Sequence, residues 1–122
     1  MTSNNYLLKG LALPDGSVSD IEIHDGKITG LGKGLVKSEG ATEIDLKGCV
    51  VLPGLVDLHT HLREPGREDA ETVLSGTMAA AKGGYVAVSA MANTSPVADT
   101  AGVVEQVYAL GQSAGFADVF PI

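Results

Sequence analysis

The residues best suited to do chemistry lie together in the segment DLHTHLREPG, positions 57 to 66. Side chains of a β-strand alternate between two faces. One face of this segment would therefore carry four polar residues, namely Asp57, His59, His61 and Arg63. Two imidazoles at positions i and i+2 of a strand can reach one divalent cation, and imidazole is a common zinc ligand. We predict that His59 and His61 bind a metal ion.

The setting of this segment favours metal binding over the alternative, a half-exposed strand with its polar face in water. The apolar run VVLPGLV precedes the histidines, and the segment opens a series of alternating strands and helices. Both faces of a parallel strand are normally buried. A polar row on a buried strand needs partners, and a metal ion would supply one.

A second informative segment, SAMANTSPVADT at positions 89 to 100, follows the next predicted strand. Ligand-binding residues of parallel α/β folds gather at the carboxyl ends of the strands, where Asn93 and Thr94 would lie. Asparagine is also a common turn residue. From the residues alone, a turn role for Asn93 is therefore favoured and a binding role stays open.

Several other polar residues are interpreted as structural. His24 lies beside the Asp25-Gly26 turn, where we expect a solvated side chain without a functional role. Cys49 is the single cysteine, and its context KGCVVLPG favours a buried thiol in a strand that enters the core.

The acidic residues that follow the histidines also receive structural interpretations. Glu64 precedes Pro65-Gly66, which ends the strand, so we expect Glu64 in a loop. The group formed by Glu68, Asp69 and Glu71 is typical of a helix N-terminus, where negative charge complements the helix dipole.

The elements that must position these residues fall into two parts. Residues 1–52 contain short alternating segments joined by Gly-rich turns, which predicts a small antiparallel sheet. Asp25-Gly26 between two alternating segments predicts a hairpin, because a type I′ turn needs positive φ at both central residues.

After Pro53-Gly54 the pattern alternates strand and helix. It predicts strands at 55–62, 86–91 and 117–122 and helices at about 70–82 and 100–114. We expect Asp69 to cap the first helix, Asp99 or Thr100 to cap the second, and Gly115 to end the second. The strands recur about every 30 residues, as both closed barrels and open doubly wound sheets allow.

Composition narrows the class of protein. The chain has 122 residues, 44% of them hydrophobic and 19% charged, which is a globular composition. Its net charge of −7, with eight scattered Lys and Arg, argues against a nucleic-acid partner. No apolar run reaches the roughly 18 residues of a membrane span, and MTSNNYLLKG lacks the features of a secretory signal. We expect a cytoplasmic protein without a membrane partner.

Two segments together, PGLVDLHTHLREPG and GTMAAAKGGYVAVSAMANTSPVADT, make the chain resemble the dihydroorotase family of the amidohydrolase superfamily. Many amidohydrolases share the DxHxH pattern, REPG narrows the resemblance to dihydroorotases and allantoinases, and MANTSPVADT favours dihydroorotases. The resemblance covers essentially the whole chain. Ala92 departs from it, since many family members have proline there.

The resemblance implies an α/β fold: the N-terminal part of a (β/α)8 TIM barrel preceded by a small β-sandwich-like module. Residues 1–52 would be the β module and residues 53–122 the first βα units of an incomplete metal-dependent hydrolase barrel. A complete barrel needs roughly 200 residues or more. The barrel interpretation therefore implies a truncated enzyme.

The resemblance also implies roles for individual residues. His59 and His61 correspond to the zinc ligands on the first barrel strand, while Arg63 and Asn93 correspond to residues that bind the substrate carboxylate. Asp57 is expected to hold the metal ligands in position without binding the metal itself. The catalytic aspartate and the remaining metal ligands are expected beyond residue 122, so we expect the 122-residue chain alone to be inactive.

The implied activity is the reversible, zinc-dependent cyclisation of N-carbamoyl-L-aspartate to dihydroorotate in de novo pyrimidine (UMP) biosynthesis, with one or two zinc ions in the full-length enzyme. Implied partners are this small-molecule substrate and either a second copy of the chain or aspartate carbamoyltransferase.

Three alternatives stay open. The protein could be an allantoinase- or hydantoinase-type cyclic amidohydrolase that uses the same metal on a different ring. It could be a non-catalytic dihydroorotase-like subunit of aspartate carbamoyltransferase, although retention of both His59 and His61 argues against that. An unrelated doubly wound domain is disfavoured because the chain lacks a GxGxxG fingerprint.

Overall fold

The computed structural model describes residues 4–122, which form two compact units, one ending at Pro53 and one beginning at Gly54. Each unit has its own sheet. Throughout this described range, no helix is both long enough and apolar enough to cross a lipid bilayer.

The first unit is a four-stranded sheet in the order β3-β2-β1-β4. Its strands are β1 (Tyr6–Ala12), β2 (Val18–His24), β3 (Lys27–Gly32) and β4 (Thr42–Asp45). The first three pair antiparallel, but β4 pairs parallel to β1. The sheet is therefore mixed, whereas we expected a wholly antiparallel one. A long connection joins β3 to β4, so no tight hairpin turn forces β4 to pair antiparallel. The second layer that a β-sandwich requires does not come from residues 4–53.

The predicted hairpin is confirmed. β2 and β3 are joined by Asp25 and Gly26, whose φ angles are 48° and 74°. Both angles are positive, as a type I′ turn requires. His24 is exposed beside this turn and lies 3.3 Å from the Asp25 carboxylate, measured from its Nδ1.

Asp20 connects the sheet of the first unit to the loop after β3. Its carboxylate accepts hydrogen bonds from the Lys9 ammonium at 2.7 Å and from the backbone N–H groups of Gly10 and Gly34, both at 2.9 Å. The Lys9 hydrogen bond, followed by the hydrogen bond from Gly10 N–H, lowers the pKa of Asp20 to about 2. The side chain is 8% exposed, so its charge is compensated almost entirely by protein groups.

The prediction for Cys49 is wrong, because the thiol is exposed. The backbone around it is held, since Cys49 N–H donates to Leu46 and its carbonyl accepts from Ala12, each at 2.9 Å. The following residue, Val50, makes only an isolated bridge to Ala12. A single bridge in place of a strand leaves no layer of side chains over the thiol in the described part of this unit.

The second unit is a parallel sheet in the order β5-β6-β7, with helices in the connections. Its elements are β5 (Leu55–Thr60), α1 (Val73–Lys82), β6 (Tyr85–Ala90), α2 (Ala101–Ala114) and β7 (Asp118–Pro121). The βαβαβ prediction is thus confirmed. The core contains Leu62, Val73, Val88, Ala90, Val107 and Val119.

The N-terminus of α1 differs from the prediction. Thr72 is the N-cap, with its hydroxyl accepting from Ser75 N–H at 3.1 Å while the Ser75 hydroxyl accepts from Thr72 N–H at 3.0 Å. Asp69 instead pairs with Arg67 at 3.1 Å, because residues 67–71 form turns that delay the helix. No acidic residue lies in the first helical turn, so the expected role for Glu68, Asp69 and Glu71 at the helix dipole is also wrong.

The second helix begins and ends as predicted, although its cap is weaker than expected. Thr100 is the N-cap without a side-chain hydrogen bond, and Gly115 ends the helix with φ of 69°. Gly111 faces β7 so closely that a Cβ added there would lie 2.6 Å from Cβ of Val119. This glycine lets α2 approach the sheet.

Candidate metal and substrate site

His59 and His61 converge at the carboxyl end of β5. His59 lies on the strand and His61 directly follows it, with 3.3 Å between their Nε2 atoms. The two rings meet edge to face at 69°. Two nitrogens bound to one tetrahedral zinc at about 2.0–2.1 Å each would lie about 3.3–3.4 Å apart. The spacing of the imidazoles therefore fits a shared metal ion.

Asn93 meets His61 from the loop after β6. Its Oδ1 lies 2.8 Å from His61 Nδ1. The two loops come together because β5 and β6 are parallel neighbours, and the pairing continues past them with a hydrogen bond of 2.9 Å from Met91 N–H to the Thr60 carbonyl. Residues that follow adjacent parallel strands meet at one edge of the sheet, as the sequence pattern suggested.

Asp57 supports the histidine segment through the backbone. Its carboxylate accepts a hydrogen bond of 3.0 Å from the N–H of His59. This hydrogen bond is the main reason that the pKa of Asp57 lies below its usual range. The carboxylate thus holds the main chain of the segment that presents His59.

Arg63 leaves the strand geometry on which its predicted position was based. β5 ends at Thr60, and the backbone of Arg63 has φ of 64°. A hydrogen bond of 2.8 Å from Glu64 N–H to the Leu62 carbonyl makes Arg63 the centre of a γ-turn, a rare conformation at positive φ. The alternation of a strand therefore does not determine the direction of its exposed side chain.

Glu64 lies in a loop, as predicted, and makes a contact that the sequence analysis did not anticipate. Its carboxylate accepts a hydrogen bond of 2.7 Å from Val73 N–H, at the first residue of α1. Unpaired N–H groups at a helix N-terminus attract carboxylates, and that general rule was the available signal. We predicted a helix start at about residue 70, but α1 begins at Val73, so the contact between Glu64 and the Val73 N–H was not predicted. Glu64 anchors the turn that carries Arg63 to α1.

The loops after β5 and β6 are also joined to each other. Ser95 N–H donates to the Pro65 carbonyl at 2.9 Å. Gly66, with φ of 106°, packs so closely on this connection that an added Cβ would overlap the Ser95 carbonyl oxygen. Arg63 and Asn93 therefore belong to loops that are fixed relative to one another.

The donor set fits a divalent cation that prefers nitrogen ligands, and it is a partial set. Two imidazoles supply two of the four ligands of a tetrahedral zinc site. Among residues 4–122, no group of three or more His, Cys, Asp or Glu side chains is placed to hold a metal ion. A four-coordinate zinc ion bound here would need two ligands besides these imidazoles.

Comparisons with known sequences point to one family. The family described as Dihydro-orotase-like matches residues 48–122. A dihydroorotase from Leifsonia xyli subsp. xyli is 57% identical over 122 residues, which are 100% of this chain and 28% of that protein. A dihydroorotase from Streptomyces coelicolor is 59% identical over 116 residues, 95% of this chain and 27% of that protein. The chain thus spans between a quarter and a third of the length of these curated relatives.

Solved structures agree on the fold. L-hydantoinase (dihydropyrimidinase) from Arthrobacter aurescens matches with a TM-score of 0.75 and 24% identity, covering 96% of this chain and 27% of that one. D-hydantoinase (dihydropyrimidinase) from a Thermus species matches with a TM-score of 0.66 and 26% identity, covering 95% and 26%. Both neighbours are hydantoinases by name, and each aligns with nearly the whole of this chain. The chain therefore belongs to the dihydroorotase-like family, and its α/β fold is that of part of an amidohydrolase-superfamily barrel enzyme.

Proposed function

We propose that this chain is the N-terminal part of a zinc-dependent dihydroorotase, which interconverts N-carbamoyl-L-aspartate and dihydroorotate. The observation that carries the proposal is the convergence of His59 and His61, with their Nε2 atoms 3.3 Å apart, in a chain of this family. Residues 1–52 would then form the N-terminal β module, and residues 53–122 the first βα units of the barrel.

The residues have distinct proposed roles. His59 and His61 hold zinc, and Asp57 fixes the backbone that presents them. Arg63 binds the substrate carboxylate, because a planar guanidinium pairs with a carboxylate through two hydrogen bonds. The amide NH2 of Asn93 adds a neutral donor to the same carboxylate.

Zinc, when bound, lowers the pKa of coordinated water from about 15.7 toward 7 and polarises the amide carbonyl. The residues of this chain hold and orient the reactants. In this proposal the aspartate that handles the proton and the other zinc ligands lie outside these 122 residues. The full-length enzyme would use one or two zinc ions and act in the cytoplasm on a small molecule, as a homo-oligomer or with aspartate carbamoyltransferase.

A second candidate is a hydantoinase-type cyclic amidase, which the TM-score of 0.75 to L-hydantoinase favours. The ring that is opened would differ, while the metal chemistry would be shared. The chain's identity to proteins named dihydroorotase, at 57% and 59%, favours the first proposal.

The test is to purify the full-length parent with zinc and to compare turnover of dihydroorotate, hydantoin and allantoin. We expect turnover of dihydroorotate alone. Arg63→Ala removes a charge-assisted pair worth about 1.5–3 kcal/mol, so kcat/KM should fall by roughly ten- to a hundredfold or more. Arg63→Lys should restore little of the lost kcat/KM, because an ammonium group lacks the planar pair of N–H donors that a guanidinium offers to a carboxylate. Preferred turnover of hydantoin or allantoin would contradict the proposal.

The metal assignment has its own control. His61→Ala should lose most of the bound zinc and most of the activity, whereas His24→Ala removes an exposed imidazole of the other unit and should change neither. Equal zinc content in wild type and His61→Ala would contradict the assignment of His61.

A further inference from the structure

We propose that Asn93 is a positioning residue for the metal ligand His61, in addition to its proposed contact with substrate. The side-chain oxygen of Asn93 would fix which nitrogen of His61 carries the hydrogen, and so keep Nε2 available for metal. This inference rests on the proposed zinc site.

The contacts of the His61 ring carry the argument. Its two nitrogens face different partners, with Nδ1 2.8 Å from Asn93 Oδ1 and Nε2 3.3 Å from His59 Nε2. A neutral imidazole has one N–H and one lone pair, and the hydrogen bond made by one nitrogen selects the role of the other. With Oδ1 as the acceptor, Nδ1 must donate. The lone pair then lies on Nε2, on the side of His59.

The opposite orientation of the amide is incompatible with a metal site here. If the NH2 group of Asn93 faced His61, Nδ1 would accept and Nε2 would carry the hydrogen. A nitrogen that carries hydrogen has no lone pair to give to a metal ion. Metal binding through the convergent Nε2 atoms therefore requires the observed orientation, with Oδ1 of Asn93 toward the ring.

Asn93 is well placed for this task because the chain on both sides of it is held. Before it, Met91 N–H donates to the Thr60 carbonyl at 2.9 Å, which ties the end of β6 to the residue preceding His61. After it, Ser95 N–H donates to the Pro65 carbonyl at 2.9 Å. The amide thus reaches His61 from a backbone already fixed to the loop that carries His61.

A single amide would then connect metal and substrate. Oδ1 is used by His61, which leaves the two N–H donors of Asn93 for the substrate carboxylate. A hydrogen bond to a ligating histidine typically contributes ten- to a hundredfold in metal affinity. Two substitutions can separate the two roles of the amide. Asn93→Ala removes both the oxygen acceptor and the N–H donors, whereas Asn93→Asp removes only the donors.

The experiment measures zinc affinity of the full-length parent, without substrate, by competition with a chromophoric chelator. Asn93→Ala should weaken zinc binding by about ten- to a hundredfold. Asn93→Asp keeps an oxygen acceptor, so its zinc affinity should stay within about threefold of wild type, while its KM for dihydroorotate rises by about tenfold or more from lost donors and like charge. Asn4→Ala, an exposed asparagine of the other unit, is the control and should change neither quantity.

A second measurement shows directly which ring nitrogen of His61 carries the hydrogen. In the metal-free parent labelled with ¹⁵N-histidine, His61 should show the spectrum of an Nδ1–H imidazole, and Asn93→Ala should lose that preference. Wild-type zinc affinity in Asn93→Ala, or a tenfold loss in folded Asn93→Asp, would overturn the inference. Failure of the zinc site itself is distinguishable, because zinc affinity would then be unchanged in His61→Ala as well.

Discussion

Arg63 lies at the centre of a γ-turn, and hydrogen bonds of the neighbouring residues hold that strained turn in place. A non-glycine residue at φ of 64° is held in a sparsely populated conformation, which persists only where the surroundings enforce it. Glu64 and Pro65 provide that enforcement through the Val73 N–H and Ser95 N–H hydrogen bonds. At the scale of single residues, the position of the proposed carboxylate-binding arginine therefore depends on groups that never touch substrate.

We predict that Glu64→Ala weakens both the fold and substrate binding. It leaves the Val73 N–H without its carboxylate and frees the turn at Arg63. The free energy of unfolding of the full-length parent should fall by about 1–3 kcal/mol, measured by chemical denaturation, and KM should rise. Glu105→Ala on the exposed face of α2 should stay within about 0.5 kcal/mol of wild type. A Glu64→Ala variant with unchanged stability and KM would show that the turn holds itself.

At the scale of elements, close contacts between helices and strands set the shape of the second unit. α1 and α2 each use a glycine to approach their neighbours: a Cβ added at Gly76 would lie 2.6 Å from Leu62 Cδ2, and one added at Gly111 would lie equally close to Val119. Both Leu62 and Val119 belong to the core. Small residues at these positions permit the packing that holds the sheet edge where the histidines lie.

Gly111→Ala should destabilise the protein, although alanine is the better helix former. The added methyl group meets Val119 close to the backbone, and overpacking of this kind costs about 1–3 kcal/mol. Gly102→Ala on the same helix is the matched control, because nothing lies within 4 Å of its added Cβ. It should be neutral or stabilise by up to about 1 kcal/mol. Thermal unfolding of the two variants side by side decides the matter, and equal melting temperatures would refute the packing argument.

Asp20 makes the stability of the first unit depend on pH in the acid range. Its pKa in the folded protein, about 2, lies below the roughly 3.9 of an unfolded chain, so the unfolded state binds the proton more readily. The stabilisation is complete above about pH 4 and is lost as pH falls toward about 2. The melting temperature of wild type should therefore fall more steeply over this range than that of Asp20→Asn. Parallel curves for the two proteins would contradict the assigned role of the Lys9 pair.

At the scale of the whole molecule, the described parallel sheet has three strands and two open edges. β6 is the middle strand, so β5 and β7 each present an edge with no strand paired to it in the described part of the chain. Apolar side chains on all three strands are exposed, including Leu58 at 74%, Val86 at 54% and Phe120 at 51%. Open edges next to apolar surface pair readily with other chains.

The 122-residue chain by itself should therefore be poorly stable, self-associating and inactive. Size-exclusion chromatography should show species larger than a monomer, and an assay with zinc and dihydroorotate should show no turnover above a metal-only control. A monodisperse monomer with turnover would mean that the active site is complete within these residues.

The sequence by itself determined the features that depend on local rules. The Asp25-Gly26 hairpin and the βαβαβ order follow from turn chemistry and from the periods of strands and helices, which act over a few residues. The end of α2 at Gly115 is of the same kind, because the left-handed conformation is a property of glycine.

Tertiary structure decided the features that depend on residues far apart in the chain. β4 paired parallel to β1 and Cys49 stayed exposed, since each depends on which segments pack together. The sequence pattern placed Asn93 at a strand end, but it did not identify His61, 32 residues away, as the residue that Asn93 contacts. Parallel strand pairing creates that contact by bringing two loop ends to one edge of the sheet.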